Sequence, residues 1–342
     1  MKAKSLSGLV CFVMMVACTP SSVADAEKKG NVAWLERNGT ASAVAALGRL
    51  ADEDKSAQAS LESIARRCEG GKNAEGGASE LDVYLAVWAG VERNQSWALG
   101  MLKKALASPA RMDDAASAMK RGSPQVGAFV PDLEASMKNG CERCSAALAS
   151  ATGPAATAAI TELLADAKTR ATMCIGIGSD ESSKDARKVF VESPMGSRDA
   201  TACTNAAARL AARDDDVLGW LAGSAEPGLL RAAGDADAMK CDRVARLWSA
   251  AISTRGKDDY AALAVPLAKA VKRCPKELDA TLAHALESNA DAQTLATMGI
   301  DPEDASKSKY PLSCAAVPNV ARGAAPPTTK ARAADIAARC KP

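Results

Sequence analysis

Short helix–turn–helix patterns recur along most of the 342-residue chain and constrain its fold more than any other feature. Between Ala43 and Ala65, apolar residues have helical spacing on both sides of the turn sequence that starts at Ala51 and ends at Asp54. One short helix pair cannot bury its own apolar face, so we expect successive pairs to stack on one another. Later copies turn near 94, at 122–124, at 153–154, at 178–180 and at 214–215, and weaker copies lie at 229–248 and 265–286.

The alanine content favours helices over strands. The chain contains 76 alanines, and alanine is the best intrinsic helix former because its side chain loses no conformational entropy on folding. No stretch shows the sustained alternation of β-branched and polar residues that is typical of a half-buried strand. The composition and the recurring pattern together predict an all-α fold in which small side chains let the helices approach closely.

One copy of the pattern carries a family resemblance. The segment ALGRLADEDKSAQASLESI, residues 46–64, resembles the HEAT-like repeat family of α-solenoids, in which a small-x-x-Ala-Leu-Gly-x-Leu-x-Asp pattern ends a helix. The resemblance extends over 32–290 in weaker copies, and it implies an irregular α-solenoid of helix pairs that presents an extended surface to another macromolecule. The residue pattern alone fits an irregular helical bundle as well, so both architectures stay open at this point.

The N-terminal residues are typical of an export signal. Lys2 and Lys4 precede an apolar run over 6–17, which is too short for a transmembrane helix. The sequence from Met15 to Cys18 resembles a bacterial lipobox, which implies cleavage after residue 17 and lipidation of Cys18. The small residues of Ala24-Asp25-Ala26 fit ordinary signal peptidase instead, with 1–26 removed, and an uncleaved anchor is a third alternative.

The lipobox interpretation divides the chain into four parts. Residues 1–17 are the signal peptide, 18–31 a tether, 32–312 the helical-repeat domain, and 313–342 a C-terminal loop with a short helix. Within the domain, the glycine-rich polar stretch Glu69–Ser79 predicts a loop, and Asn38-Gly39 and Asn139-Gly140 predict helix ends.

Nine cysteines follow Ala26, and in an oxidising compartment they are disulfide candidates with at least one left over. Cys141 and Cys144 form a tight pair that favours a structural role, either in one disulfide or each paired with another cysteine, over a redox dithiol or a metal site, because no strand precedes it and no second pair follows. Bridges between stacked helices must join non-equivalent positions, since equivalent points lie roughly 8–10 Å apart. The pairs expected on this basis are Cys241–Cys274 and Cys314–Cys340.

No other motif predicts catalysis, a cofactor or a metal. The formal charge is only +2, from 43 basic and 41 acidic residues, so the chain lacks the basic surplus typical of nucleic-acid binding. His284, the one histidine, lies in an ordinary helical pattern without a nucleophile motif. Five tryptophans are expected to fill the core, with Trp97 and Trp220 the more exposed because they lie beside turns.

The functional expectation follows by elimination and from the resemblance. We expect a non-enzymatic protein–protein interaction or scaffold protein of the bacterial cell envelope, with a protein partner, no cofactor and membrane contact only through a lipid at Cys18. Two alternatives remain: a structural envelope lipoprotein without a specific ligand, and a thiol-redox protein that uses Cys141 and Cys144.

Overall fold

The protein is all-α. The computed structural model describes residues 20–69, 71–193, 200–223 and 239–254, together with isolated residues farther along the chain. In these ranges no residue is in a β-strand. The chain forms two compact units, Met1–Ala159 and Ile160–Pro342.

The described part of the first unit contains nine α-helices and one 3-10 helix, Pro124–Phe129. The α-helices are α1 (Val23–Lys28), α2 (Val32–Asn38), α3 (Ala41–Leu50), α4 (Lys55–Cys68), α5 (Glu80–Glu92), α6 (Ser96–Leu106), α7 (Met112–Ala118), α8 (Val130–Lys138) and α9 (Cys144–Ser150). Helix α10 (Pro154–Ala165) contains the boundary between the units. The second unit adds α11 (Arg170–Ile177), α12 (Lys184–Glu192), α13 (Ala200–Ala211), α14 (Asp215–Gly223) and α15 (Cys241–Thr254).

Local sequence signals set the helix ends. Thr40 caps α3 by accepting a hydrogen bond from the amide of Ala43, and Ser79 and Asp82 form a reciprocal capping box at the start of α5. Gly39 ends α2 in the left-handed conformation, at φ 58°, where glycine carries no steric penalty. A helix precedes and follows each of the six turns predicted at 51–54, near 94, at 122–124, at 153–154, at 178–180 and at 214–215. The 3-10 helix begins at Pro124, α10 at Pro154 and α14 at Asp215, so three of these predicted turns are one residue too long.

The helices of the first unit pack in two layers. The first layer is the series α1, α3, α5, α7 and α9, in which each helix contacts the next one of the series. In the second layer α2 packs on α4 and α6 on α8, and consecutive helices connect the layers. Small residues allow close contact in the first layer, because a Cβ atom on Gly48 would lie only 2.9 Å from the Cβ of Ala86. This regular stacking buries the apolar positions that the sequence pattern identifies, among them Leu47, Leu61 and Ile64.

Ion pairs link successive helix ends along the turns. Arg49 at the end of α3 pairs with Glu27 of α1 at 2.6 Å, and Arg93 after α5 pairs with Asp52 after α3 at 2.6 Å. Lys120 after α7 continues the series with Glu92 at the end of α5, at 3.7 Å. In each case a cation of one helix pair reaches a carboxylate of the preceding pair, so the same contact repeats along the first unit.

The second unit repeats this arrangement in part. Helix α11 packs on α12 and α13, α12 on α14, and α14 on α13 and α15. Arg213 after α13 pairs with Asp180 after α11, a contact of the same kind as that between Arg93 and Asp52. Phe190 and Trp248 are fully buried in this unit.

The tether predicted at 18–31 differs from the structure in its second half. Residues 23–28 form α1, which packs against α2 and α3. Ala26 is 0% exposed, and Glu27 makes two hydrogen bonds to Arg49, at 2.6 and 2.8 Å. The Ser22 cap and these contacts stabilise the helix. The contacts with α2 and α3 cannot be predicted from the six residues of the helix alone.

The predicted loop 69–79 packs against the turn between α2 and α3. The amide of Ala78 donates to the carbonyl of Gly39 at 3.0 Å. Gly76 lies so close to this turn that a Cβ atom would be 1.8 Å from the carbonyl oxygen of Asn38. Glycine at 76 is therefore a packing requirement.

Candidate functional site

A cleft of about 190 Å³ opens in the second layer of the first unit, between α4 and α6. Small side chains line it on both helices, Ala65 on α4 and Ala105 on α6. Tyr84 of the intervening helix α5 also lines it. The full lining of this α4–α6 cleft is Glu62, Ala65, Arg66, Tyr84, Met101, Lys104, Ala105 and Arg111.

A buried polar cluster supports one end of the cleft. Glu80 is 3% exposed and Tyr84 is 1% exposed. The Tyr84 hydroxyl donates to Glu80 Oε1 at 3.0 Å, and Arg111 Nε lies 3.6 Å from the same oxygen. Arg111 also donates through Nη2 to Glu69. The guanidinium of Arg111 is thus held between two carboxylates at the cleft.

Helix geometry brings the members of this cluster together. The Ser79 capping box starts α5, so Glu80 lies in the first turn and Tyr84 lies one turn later on the same face. Arg111 directly precedes α7, which packs on α5. A local spacing of four residues and one long-range helix contact therefore build the cluster.

Burial controls the electrostatics of the cluster. Removal from water raises the pKa of Glu80, while the Tyr84 hydrogen bond and the Arg111 charge oppose the shift. The pKa of Tyr84 is raised by burial and by the adjacent Glu80 carboxylate. Tyr84 therefore stays protonated and acts as a hydrogen-bond donor to Glu80 at physiological pH.

The rim of the cleft is rich in cations. Lys104 Nζ lies 3.6 Å from Glu62 Oε1, and Arg66 Nε donates to the backbone carbonyl of Glu62 at 3.3 Å. The neighbours of these cations in the sequence point elsewhere, since Arg67 pairs with Glu36 at 3.3 Å and Lys103 pairs with Asp132 at 3.5 Å.

The lining is suited to binding an anion. It contains three cations, Arg66, Lys104 and Arg111, and one carboxylate, Glu62. The lining includes no serine, threonine, cysteine or histidine that could act as a nucleophile. Sequence analysis did not single out this cleft. The spacing of Glu80 and Tyr84 on an apolar helix was the one available signal, and nothing local points to Arg111.

The tight cysteine pair is joined in the structure. Cys141 and Cys144 form a disulfide with an S–S distance of 1.94 Å, and both residues are buried. Cys144 begins α9, and its amide donates to Cys141 Sγ at 3.2 Å. Asp113 Oδ1 lies 3.5 Å from the same sulfur atom and accepts a hydrogen bond from the amide of Arg143 at 2.9 Å.

Two further disulfides lie in the second unit. Cys241 and Cys274, one of the pairs named from the sequence, are joined at 2.07 Å. Cys174 and Cys203 are joined at 2.01 Å, and the sequence analysis did not name this pair. These two residues lie inside α11 and α13 rather than at helix ends.

Close helix packing explains the Cys174–Cys203 disulfide. A Cβ atom on Gly178 would lie 3.1 Å from Ala206, so small residues bring α11 and α13 together near the bond. The Cα atoms of the two cysteines are 4.8 Å apart, within the roughly 4.4–6.8 Å that a disulfide spans.

The remaining candidates have the following places. Cys68 is a free thiol, buried beside the carbonyl of Ala78, and burial raises its pKa. Cys18, Cys314, Cys340 and His284 lie outside the described residues.

Two of the five tryptophans, Trp88 and Trp248, are buried. Trp34, Trp97 and Trp220 are half-buried. Trp97 donates its indole N–H to Asp52 at 3.2 Å, and Trp220 packs edge-on against Phe190 with ring centres 5.7 Å apart. Trp97 thus ties α6 to the turn after α3, and Trp220 packs α14 against α12.

Comparison with known proteins yields no relative: no family model, curated protein or solved structure matches this chain. Within the ranges that the structure describes, no helix combines the length and apolar character needed to cross a bilayer. No group of three or more His, Cys, Asp or Glu side chains among those same residues is placed to hold a metal ion. The features of this chain that bear on function are the packing of its helices, its disulfides and the α4–α6 cleft.

Proposed function

We propose that this protein is a non-enzymatic scaffold of a bacterial cell envelope that binds a protein partner. The observation that carries the proposal is the repeated packing of helix pairs, with the same cation-to-carboxylate contact between successive pairs. Repeats of this kind stack into extended surfaces, which proteins use for recognition. The proposal includes the α-solenoid architecture, with α3 and α4 as the HEAT-like pair.

The disulfides support an envelope location. Disulfides persist in oxidising compartments and are rare in the reducing cytosol. Six cysteines of the described residues are paired and only Cys68 is free. An exported chain is the simplest setting for three such bonds.

The packing of α1 bears on the N-terminal alternatives. Cleavage after Ala26 would remove Ser22, which caps α1, together with the buried side chain of Ala26. Cleavage before Cys18 would keep the whole helix and its contacts with α3. The structure therefore favours the lipobox alternative, and we propose that Cys18 carries the lipid.

One observation favours the thiol-redox alternative. The amide of Cys144 donates to Cys141 Sγ, a contact that stabilises a thiolate. Two observations oppose it: both cysteines are 1% exposed or less, and the Asp113 carboxylate beside Cys141 disfavours a thiolate. A redox partner has little access to this bond, so a structural role is the better proposal.

Intact mass and cross-linking of the natively exported protein test the proposal. The mass, with and without thiol alkylation, is expected to show a diacylglyceryl group on Cys18 and at least six cysteines protected from alkylation. Photo-cross-linking in native envelopes is expected to capture one recurrent protein partner. Diffuse cross-links would favour a purely structural lipoprotein. An unlipidated chain with reduced cysteines would contradict the envelope location.

A further inference from the structure

We propose that the α4–α6 cleft binds a carboxylate with a short aliphatic stem, the group that a glutamate side chain or a small dicarboxylic acid carries. The inference deepens the proposed function, because an acidic side chain of the protein partner is one source of this group.

The cations at the rim of the cleft differ from their sequence neighbours in having weak carboxylate partners or none. On α4, Arg67 has a carboxylate partner in Glu36, whereas Arg66 donates only to a backbone carbonyl and has no carboxylate partner in the described part of the chain. On α6, Lys103 pairs with Asp132, whereas Lys104 Nζ lies 3.6 Å from Glu62 Oε1 and the Lys104 side chain is 79% exposed. An ammonium at this distance keeps hydrogen-bond donors for another acceptor.

Arg111 is held in place by two carboxylates. Its guanidinium donates to Glu69 and lies 3.6 Å from the buried Glu80, so its orientation is fixed. These two carboxylates balance much of its charge. Arg66 and Lys104 therefore supply the attraction for an incoming anion, and Arg111 closes the end of the cleft.

The cleft also has an apolar floor, formed by alanine and methionine side chains. Ala65, Ala105 and Met101 are each at most 8% exposed and line the cleft below the cations. The Tyr84 hydroxyl is committed to Glu80 and offers no donor to a ligand. A floor of this kind contacts methylene groups while the rim holds the carboxylate, as in most small binding sites. This combination selects a carboxylate with an aliphatic stem over a bare inorganic anion.

Calorimetric titration of the full mature chain tests the inference. The probes are glutarate and an acetylated, amidated peptide with glutamates spaced by glycines. The controls are glutaramide and the same peptide with glutamine. The carboxylate probes are expected to bind and their amides to show no binding, and the binding is expected to weaken with salt because the rim is exposed. Peptide binding at least about ten-fold tighter than glutarate indicates a protein source, and equal affinity indicates a small acid.

Neighbouring residues provide matched variants. Arg66→Gln and Lys104→Gln are each expected to weaken binding roughly five-fold, the effect of about 1 kcal/mol for one lost charged contact. Arg67→Gln and Lys103→Gln remove the same charge one residue away and are expected to leave the affinity within about two-fold. Circular dichroism confirms that all four variants are folded.

Two results would overturn the inference. One is that neither glutarate nor the glutamate peptide binds at about 10 mM. The other is an equal loss of affinity in the Arg66 and Arg67 variants, which would indicate general surface attraction. A partner captured in the envelope that is indifferent to Arg66 would leave the scaffold function intact and exclude that partner as the source of the carboxylate. Glutarate binding without any captured partner would support the cleft and contradict the scaffold function.

Discussion

Removing the Cys174–Cys203 disulfide is expected to destabilise the second unit more than removing Cys141–Cys144 destabilises the first. The bonds close loops of sequence separation 29 and 3. In the chain-entropy account, a disulfide stabilises by restricting the unfolded chain, and longer loops gain more. The relation gives about 3.6 kcal/mol for the longer loop and about 1.6 kcal/mol for the shorter one at 25 °C. The predicted difference is therefore about 2 kcal/mol.

Urea unfolding of paired alanine variants measures this difference. The variants are Cys174→Ala with Cys203→Ala, and Cys141→Ala with Cys144→Ala. All four cysteines are buried, so the loss of packing is comparable in the two variants. Trp220 and Trp248 report on the second unit, and the tryptophans of α2, α5 and α6 report on the first. Unfolding the wild type and both variants in reductant, which opens all three disulfides in each case, separates loss of the bond from loss of the side chains.

The result that refutes this reasoning is a Cys174–Cys203 variant that is no less stable than the Cys141–Cys144 variant. The bond between α11 and α13 would then record proximity without restricting the unfolded chain. Loss of stability in the reduced wild type, with no further loss in the variants, would support the entropic account.

Three further predictions concern the first unit. Gly76→Ala is expected to lower the free energy of unfolding by about 1–3 kcal/mol, because its Cβ would collide with the turn after α2, whereas Gly100→Ala, in open space on α6, is expected to raise it by up to about 1 kcal/mol; urea denaturation measures both. Folding raises the pKa of Glu80 above its ordinary value of 4.5, so the folded chain holds this proton more tightly and loses stability as pH rises from about 4.5 through the raised value. Glu80→Gln removes that loss, and its stability relative to wild type is expected to increase across this window; a constant difference in pH-dependent unfolding would contradict the assignment. A chain that starts at Glu27 is expected to unfold about 1–2 kcal/mol more easily than one that starts at Pro20, because α1 is lost; equal thermal stability would mean that α1 is dispensable.

The helices and most turns were predictable because their signals are local. Asn38-Gly39 ends α2 where the sequence indicates, and residues 51–54 separate α3 from α4. Turn residues act within a few positions of the chain, and apolar residues at helical spacing show which face is buried. The same logic identified Glu69–Ser79 as a loop, but its packing against the turn after α2 depends on a contact between distant residues.

The features that escaped prediction depend on long-range contacts. Helix α1 is short, and the burial of Ala26 comes from its neighbours α2 and α3. The Cys174–Cys203 bond was missed because the distance between helix axes was used for the cysteines, whereas Cα atoms on facing sides of two packed helices lie several ångströms closer than the axes. Arg111 joins Glu80 across thirty residues through the packing of α7 on α5. No local signal marks such a pairing.

Small residues explain both the stacking and the cleft of the first unit. In the first layer, Gly48 meets Ala86, and the absence of side-chain bulk brings α3 and α5 into direct contact. In the second layer, the small side chains of Ala65 on α4 and Ala105 on α6 line a gap together with Tyr84. An alanine-rich interface buries little apolar area per residue, so its stability needs other sources. Both units add ion pairs between helices, the first adds the short Cys141–Cys144 loop, and the second adds two longer-range disulfides. At the α4–α6 cleft, Arg66 has no carboxylate partner among the described residues and lies beside a preformed gap, which is why the binding proposal falls there.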